Sequence, residues 1–211
     1  MNKNNIDIAI LVLGYSRADL FKKCVDSIIN LGLEKHTPIY GVIDGSRSKK
    51  GIEFEKNREV KKVSKKLFEK GKLTNLIIRK KNLGTMLNVY TSVTNILKKH
   101  EYIFVLEDDL EILPIAKGAL NSLFIQMGGK VNAFSLYCNN SFTNDIFYSS
   151  RYSSQAWGTS KKAWSDFNID NIRSTNLSFF EIIKLKKKCG SDMYSNFKSF
   201  KKNQLDTWAV P

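Results

Sequence analysis

Short apolar segments and amphipathic segments alternate along the first 110 residues, and this alternation constrains the fold more than any other feature. The apolar segments are near-continuous runs, which are typical of strands buried on both faces of a sheet. They are residues 8–13, 39–43, 76–78 and 102–106. The segments between them repeat apolar residues at helical spacing. Four such steps predict a parallel sheet with helices on its faces.

The remainder of the chain is less regular, with three segments of helical spacing and two of strand-like pattern. The expected helices are residues 116–127, 160–167 and 178–188, and the expected strands are 131–137 and 146–150. No repeat or linker divides the 211 residues, of which 42% are hydrophobic, so the chain suffices for one sizeable core. We therefore predict a single α/β domain over residues 1–211, with a regular half at 1–113 and a second half at 114–211.

Polar residues follow the strands at the positions where parallel sheets bind ligands. They are Gly14, Tyr15 and Arg17 after the first strand, Asp44 after the second, Asn82 and Gly84 after the third, and Glu107, Asp108 and Asp109 after the fourth. Because the carboxyl ends of parallel strands meet at one edge of a sheet, we expect these residues to converge there.

The strongest of these signals is the acidic triplet, Glu107, Asp108 and Asp109, because it directly follows a buried strand. Three adjacent carboxylates repel one another, and burying them is costly unless a cation lies between them. Their hard oxygens suit Mg²⁺ or Mn²⁺, which keep water and substrate phosphate as their other ligands. The alternative is a solvated acidic turn, but the apolar strand before the triplet favours a metal site.

The net charge of +14, from 34 basic and 20 acidic residues, allows two interpretations. A basic surface attracts polyanions such as nucleic acid or the anionic face of a membrane. The alternative is compositional drift, because Lys far outnumbers Arg, and Arg is preferred where phosphates or bases are read. The motifs of P-loop and dinucleotide sites are absent from the sequence.

Cysteines and histidines form no recognisable site in the sequence. The three cysteines are far apart, so we expect free thiols in a reducing compartment. His36 and His100 lie in expected connections without acidic or cysteine companions at ligand spacing, so we expect both to be solvated. No apolar run is long enough for a signal core or a membrane span, and we expect a cytoplasmic protein. The Lys-rich end of the helix at 178–188 suits either contact with the inner membrane face or a solvated helix end.

The segments resemble, in order and spacing, those of GT-A glycosyltransferases. Residues 102–111 look like the metal-binding segment of the EDD variant, which occurs in N-acetylglucosaminyltransferase I-like and bacterial polysaccharide glycosyltransferases. Residues 10–17 resemble the first strand and donor loop of that fold, and residues 44–46 and 82–84 resemble its acidic turn and its NxG segment. Residues 154–160 and 206–209 resemble a Trp-Gly loop and an acidic-Trp segment on the acceptor side. The resemblance implies a Rossmann-like, mostly parallel sheet and a nucleotide-sugar site in residues 1–113.

The resemblance also implies roles at the metal. Asp109 would bind Mn²⁺ or Mg²⁺ directly, with Asp108 and Glu107 supporting it through water or the donor ribose and sugar. Asp108 would therefore serve both as a further metal ligand and, like Glu107, as a donor-binding residue. The metal would bridge the donor diphosphate and neutralise charge on the leaving nucleotide.

The same resemblance assigns the donor loops. Gly14, Tyr15 and Arg17 would lie beside the donor, with Arg17 near its base or phosphates unless it is simply solvated. Asp44 would accept a hydrogen bond from the uracil or ribose, and the alternative is a plain Asp-Gly turn. Asn82 and Gly84 would let the main chain pass close to the donor, and the alternative is helix capping.

On the acceptor side, Asp206 is the candidate general base of an inverting transfer, where a carboxylate takes the proton of the acceptor hydroxyl. The alternative is a surface carboxylate before a core tryptophan, and Asp166 and Asp192 are lesser candidates. Trp157 would offer a flat apolar face to a sugar and Gly158 close access, although core packing of Trp157 is an equal alternative. Because more chain follows this point in related enzymes, we expect the acceptor-side half at 114–211 to be truncated.

These observations predict a metal-dependent glycosyltransferase that moves a hexosyl or N-acetylhexosaminyl group from a nucleotide-sugar, with a UDP-sugar favoured, to a glycan or lipid-linked acceptor. The expected setting is bacterial surface polysaccharide or lipopolysaccharide synthesis, with peripheral contact to an anionic membrane and no nucleic acid. One alternative is a nucleotidyltransferase that makes a nucleotide-sugar. Another is a non-enzymatic basic module that binds polyanions.

Overall fold

A mixed sheet organises the computed structural model, which describes residues 7–35, 37–127, 133–136 and 153–204. Its strands among these residues are β1 (Ile8–Gly14), β2 (Ile39–Ile43), β3 (Asn75–Ile78), β4 (Tyr102–Glu107), β5 (Ala133–Ser135) and β6 (Trp157–Ser160). They are arranged in the order β3-β2-β1-β4-β6-β5. The first four strands are parallel, whereas β6 is antiparallel to both of its neighbours. The predicted α/β class with a mostly parallel sheet is confirmed.

Helices cover the sheet on both faces. They are α1 (Ala18–Asn30), α2 (Ile52–Glu69), α3 (Gly84–Leu97), α4 (Ala116–Met127), α5 (Lys161–Ser165), α6 (Ile169–Ser174), α7 (Phe179–Cys189) and α8 (Met193–Lys201), with a short 3-10 helix at Leu33–Lys35. The helices expected between the first four strands are present, while α6 and α8 were not expected. None of the helices within the described ranges is long and apolar enough to cross a membrane.

The central strand β1 shows why this sheet needs both helical layers, since all seven of its residues are buried. Its alternate residues belong to two separate apolar clusters, as expected when successive side chains point to opposite faces. Ile10 and Val12 pack in the cluster formed with α1 and α2. Leu11 and Leu13 pack in the cluster formed with α3. This arrangement holds β1 in the interior and leaves its carboxyl end, at Gly14, at the edge of the sheet.

Strand β6 departs from the expectation that residues 154–160 form a loop. Residues Trp157–Ser160 pair with β4, and Gly158 lies opposite Phe104. A Cβ atom at Gly158 would lie 2.3 Å from the ring of Phe134, so glycine is required where that ring crosses the strand. The strand expected at 131–137 is seen as β5 alone, and the strand expected at 146–150 lies outside the described residues.

His100 is not the solvated histidine that the sequence suggests. Its side chain is only 15% exposed, with Nδ1 2.6 Å from Asp7 Oδ1 and Nε2 3.0 Å from the Tyr40 hydroxyl. The expectation failed because Asp7 is distant in sequence, whereas β1 and β4 begin side by side at the amino edge of the sheet. His36 lies outside the described residues.

Candidate functional site

An open groove of about 350 Å³ lies at the carboxyl edge of the sheet, and this volume is in the range of small-molecule sites. Its wall is formed by the residues that follow β1, β2 and β4 and by one face of α3. The lining residues are Leu13, Gly14, Tyr15, Ser16, Arg17, Asp44, Arg47, Asn82, Gly84, Thr85, Asn88, Val89, Glu107 and Asp108. All eight residues that the sequence assigned to the donor are therefore brought together in one groove, as the meeting of strand ends requires.

Asp44 organises one wall of this groove through its buried carboxylate. Its Oδ1 accepts hydrogen bonds from the backbone N–H groups of Gly45, at 2.8 Å, and Leu83, at 3.0 Å. Its Oδ2 accepts from the Asn82 amide at 3.1 Å and from the backbone N–H of Gly84 at 3.2 Å. These groups open α3, so Asp44 satisfies the exposed donors of a helix that begins 40 residues later. Asp44 therefore positions α3, and its direct bond to a uracil or ribose stays a prediction.

The loops after β2 and β3 touch at Gly45. A Cβ atom there would lie 2.3 Å from the carbonyl carbon of Lys81 and 2.6 Å from the backbone nitrogen of Asn82. The Asn82 amide also donates to the Gly45 carbonyl at 2.8 Å. Gly84, the first residue of α3, has a φ of +77°, which glycine adopts without strain. Both glycines thus serve the close approach of two main-chain segments at the groove.

Two polar side chains that the sequence did not indicate support the segments that line the groove through hydrogen bonds. Asn57 on α2 is fully buried, and its amide donates to the carbonyl of Tyr15 at 2.7 Å and to that of Asp44 at 3.0 Å. Arg79, at the end of β3, donates to the Asn88 side chain at 2.6 Å and to two hydroxyls further along α3. Asn57 lies within a helix, and Arg79 follows a strand but belongs to no recognisable motif. The sequence therefore carries no direct signal for either residue.

The outer rim of the groove is a cluster around Glu53, in the first turn of α2. The Tyr15 hydroxyl donates to this carboxylate, and so does the backbone N–H of Arg47 at 3.0 Å. The bond from Tyr15 holds the pKa of Glu53 below its usual value, whereas burial and the same bond raise the pKa of Tyr15. The Arg47 guanidinium lies 5.8 Å from the centre of the Tyr15 ring, so a positive charge stands at the rim.

Arg17 joins the groove to the acidic triplet. One nitrogen of its guanidinium is bonded to Asp108 Oδ1, and the other lies 3.0 Å from Asp109 Oδ2. The Asp108 side chain is 4% exposed, whereas those of Arg17 and Asp109 are 48% and 44% exposed. The arginine expected near the base or phosphates of a donor is therefore paired in this structure with the two carboxylates expected to bind the metal.

Asp108 is a buried carboxyl group at the groove, and its surroundings shift its pKa. Burial raises the pKa of its carboxyl above the usual value, although the bonds from Arg17 oppose this rise. Its Oδ2 is buried and has no hydrogen-bond partner within the described part of the protein. A buried carboxylate oxygen without a partner is costly, and a bound cation would remove that cost.

The donor set of the triplet fits a hard divalent cation. Residues 7–35, 37–127, 133–136 and 153–204 contain no group of three or more His, Cys, Asp or Glu that could hold a metal by itself. Mg²⁺ and similar ions need fewer protein ligands, because one or two carboxylates with water and substrate phosphate complete their shell. Asp108 and Asp109 supply such a pair, with one free buried oxygen at Asp108.

Of the acceptor-side residues, Trp157, Gly158, Asp166 and Asp192 are not among those that line this groove. Trp157 is 2% exposed and packs in the apolar cluster of α3, so its ring takes the core-packing alternative and offers no face to a sugar. Gly158, which follows Trp157 in β6, lies beneath the ring of Phe134 from β5. Asp166 and Asp192 lie at the end of α5 and the start of α8. Asp206 falls outside the described residues.

Sequence comparisons identify no relative: no family model and no curated protein matches the chain. Solved structures do match its fold. TarS 1–349 from S. aureus gives a TM-score of 0.52 at 10% identity, covering 87% of this chain and 55% of that chain. Its complex with UDP-GlcNAc gives 0.45 at 11% identity, with coverages of 82% and 52%. The mannosyltransferase PcManGT from Pyrobaculum calidifontis, in complex with GDP-Man and Mn²⁺, gives 0.47 at 17% identity, with coverages of 63% and 36%.

These matches concern the fold. The six-stranded, mostly parallel sheet with its two helical layers is the GT-A, Rossmann-like architecture. The chain spans between about a third and a little over half of the length of these three structures. The narrower likeness to N-acetylglucosaminyltransferase I-like enzymes finds no support in the comparisons and stays a prediction.

Proposed function

We propose that this protein is a metal-dependent glycosyltransferase that binds a UDP-sugar in the groove and transfers its sugar to a glycan or lipid-linked acceptor. One observation carries the proposal. The eight residues assigned to the donor from the sequence alone line a single groove at the carboxyl edge of a GT-A sheet. A solvated acidic turn, the alternative for the triplet, does not account for a carboxylate as buried as Asp108.

The groove has the charges that a nucleoside diphosphate requires. Arg17 and Arg47 bring two cations to its rim, and arginine is well suited to phosphate oxygens. The N-terminal turn of α3 also faces the groove, with Gly84, Thr85 and Asn88 among its lining residues. Asp44 already accepts from the N–H groups of Leu83 and Gly84, so this turn would attract an anion through its dipole and its remaining N–H groups. These features support a diphosphate between the loop after β1 and the start of α3.

Asp108 and Asp109 are the proposed metal ligands, with Glu107 beside them at the end of β4. A bound Mn²⁺ or Mg²⁺ would stabilise negative charge on the leaving nucleotide diphosphate. Asp44 and Asn57 have a structural role, because their hydrogen bonds fix the donor loop and the start of α3 relative to each other. Asp206 is proposed as the base of an inverting transfer on the basis of the sequence resemblance.

The first test is calorimetric titration of UDP and a panel of UDP-sugars, with and without Mn²⁺. We expect binding of one UDP-sugar that requires metal and is lost in Asp109→Asn. Glu111→Gln is a matched control, because it neutralises an exposed carboxylate two residues away that is not among the proposed metal ligands. Unchanged binding and metal dependence in Asp109→Asn would show that the metal assignment is wrong.

The two other functions make different predictions in the same experiments. A nucleotidyltransferase would release pyrophosphate from a nucleoside triphosphate and a sugar phosphate. A basic module would bind polyanions without metal, with an affinity that falls steeply as salt rises. The first lacks support because the sequence has no Gly-rich triphosphate loop after the first strand, and the second leaves the buried Asp108 unexplained, so we rank both below a glycosyltransferase.

We also propose that the protein contacts the anionic inner face of the bacterial cytoplasmic membrane, where surface polysaccharide or lipopolysaccharide acceptors are lipid-linked. The support is α7, which exposes Phe179, Phe180 and Ile183 together with lysines in its last turn. Exposed aromatic rings beside lysines suit a membrane interface. Co-sedimentation with anionic vesicles should fall in a Phe179→Ser, Phe180→Ser double variant. Equal sedimentation of this variant and the wild type would contradict the contact.

A further inference from the structure

The pairing of Arg17 with the triplet carboxylates has a consequence for metal binding, and it rests on the proposed function. We propose that Arg17 is a displaceable counter-ion that competes with the metal for Asp108 and Asp109. In this arrangement the metal binds only when the guanidinium leaves both carboxylates, so metal affinity is low before the donor arrives.

The geometry places the two cations in competition for the same pair of carboxylates. The guanidinium bridges Asp108 Oδ1 and Asp109 Oδ2, which are oxygens from the same two carboxylates that would hold the metal. Each of these oxygens accepts an N–H group of Arg17 through a lone pair, and a metal would use lone pairs of the same two carboxylates. A divalent ion placed beside an intact guanidinium would also face its positive charge at short range.

Only one partner of this pair is free to move. The Asp108 side chain is 4% exposed and is fixed by the burial of β4, whereas Arg17 is 48% exposed. Arg17 immediately precedes α1, and its side chain packs in none of the apolar clusters of the described residues. The guanidinium can therefore turn into the groove that it already lines, while the buried Asp108 carboxylate stays in place.

Before the donor binds, Arg17 stabilises the metal-free protein. A buried carboxylate without a partner is strongly destabilising, and Arg17 supplies the missing charge in the metal-free protein. Because arginine keeps its proton in proteins, this charge cannot be removed by deprotonation and must be displaced. A donor diphosphate would offer the released guanidinium a new anionic partner within the same groove, which couples metal binding to donor binding.

The test is Mn²⁺ titration without nucleotide, followed through the electron paramagnetic resonance signal of free Mn²⁺. Arg17→Met removes the competitor and should bind Mn²⁺ roughly tenfold or more tightly than the wild type, given the usual strength of hydrogen bonds to charged groups. Arg17→Gln, which keeps hydrogen bonding without charge, should show the same direction and serves if the methionine variant does not fold. Arg58→Met is the control, because it breaks an exposed Arg–carboxylate pair on α2 and should leave Mn²⁺ affinity within about twofold.

The outcomes separate this inference from the proposed function. Tighter Mn²⁺ binding in both Arg17 variants, with Arg58→Met unchanged, supports the inference. Mn²⁺ affinity that is equal to or weaker than that of the wild type overturns it, even when UDP-sugar binding by the wild type remains metal-dependent. A wild type that binds neither Mn²⁺ nor any UDP-sugar overturns both the inference and the proposed function.

Discussion

Asn57 gives the sharpest stability prediction, because one buried amide supports two loops of the groove. Its Nδ2 group donates to the carbonyls of Tyr15 and Asp44, and the residue is fully buried. The change Asn57→Ala leaves both carbonyls without this donor. We expect the variant to fold, to unfold at a lower temperature and to bind UDP more weakly.

The magnitude follows from the atoms involved. Each stranded buried acceptor costs about 1–3 kcal/mol, which gives roughly 2–6 kcal/mol for two. The same change removes Asn57 Oδ1, which is buried without a hydrogen-bond partner in the described structure, and so returns about 1–3 kcal/mol. We therefore expect a net loss of about 2 kcal/mol in the free energy of unfolding. In a protein of this size that loss lowers Tm by roughly 4–8 °C.

The matched control is Ser64→Ala on the same helix. Ser64 is also fully buried, but its hydroxyl donates at 3.0 Å to the Lys61 carbonyl within α2 and reaches neither groove loop. We expect a loss of about 1 kcal/mol or less and unchanged UDP binding. Thermal and urea unfolding of both variants measure the difference. If Asn57→Ala is no less stable than Ser64→Ala, the amide does not hold the loops as inferred.

Three further predictions concern single groups. Gly45→Ala should lose about 2–3 kcal/mol in urea unfolding, because the new Cβ meets the main chain of Lys81 at 2.3 Å, whereas Gly118→Ala on α4 meets nothing within 4 Å and should not destabilise. Asp26 has a pKa below its usual value because bonds from two lysines outweigh burial, so it stabilises the fold above pH 3.8 and this contribution disappears as pH falls below that value. Asp26→Asn should flatten this acid limb of the stability–pH curve, and an unchanged limb would contradict the assignment. Burial raises the pKa of the Cys24 thiol to about 12, so iodoacetamide should modify it only in denaturant, as mass spectrometry can show.

The strands that build the groove could be predicted because buried strands consist largely of apolar residues. A strand covered on both faces is apolar where it is buried, and so are β1, β2 and the buried residues 103–106 of β4. Once three such strands are parallel, the residues after them must meet at one edge. That is why Asp44 and the triplet could be assigned to one groove without any knowledge of distances.

The supporting residues could not be predicted for a related reason. Asn57, on a helix, and Arg79, in the loop after β3, bond to partners up to 42 and up to 13 positions away, and the hydrophobic pattern indicates only which face of a helix is buried. Trp157 was ambiguous because a tryptophan followed by glycine suits a sugar platform and a buried strand equally well. The burial of Trp157 against α3 decides between them, and these packing partners are more than 50 positions away in the sequence.

The two edges of the sheet explain why a ligand belongs at one of them. At the amino edge, Asp7 is half exposed, and its carboxylate accepts bonds from His100 at 2.6 Å and from the backbone of Glu101 at 3.2 Å. That arrangement leaves no buried charge to be compensated. At the carboxyl edge, Asp108 is almost fully buried, with a raised pKa and a buried oxygen that no described group satisfies. A folded protein tolerates such a local cost where function requires it, because a ligand that binds the folded state offsets it. Arg17 compensates Asp108 at Oδ1 only, and the expected cation would satisfy Oδ2, which the net charge of +14, spread over the whole chain, does not do.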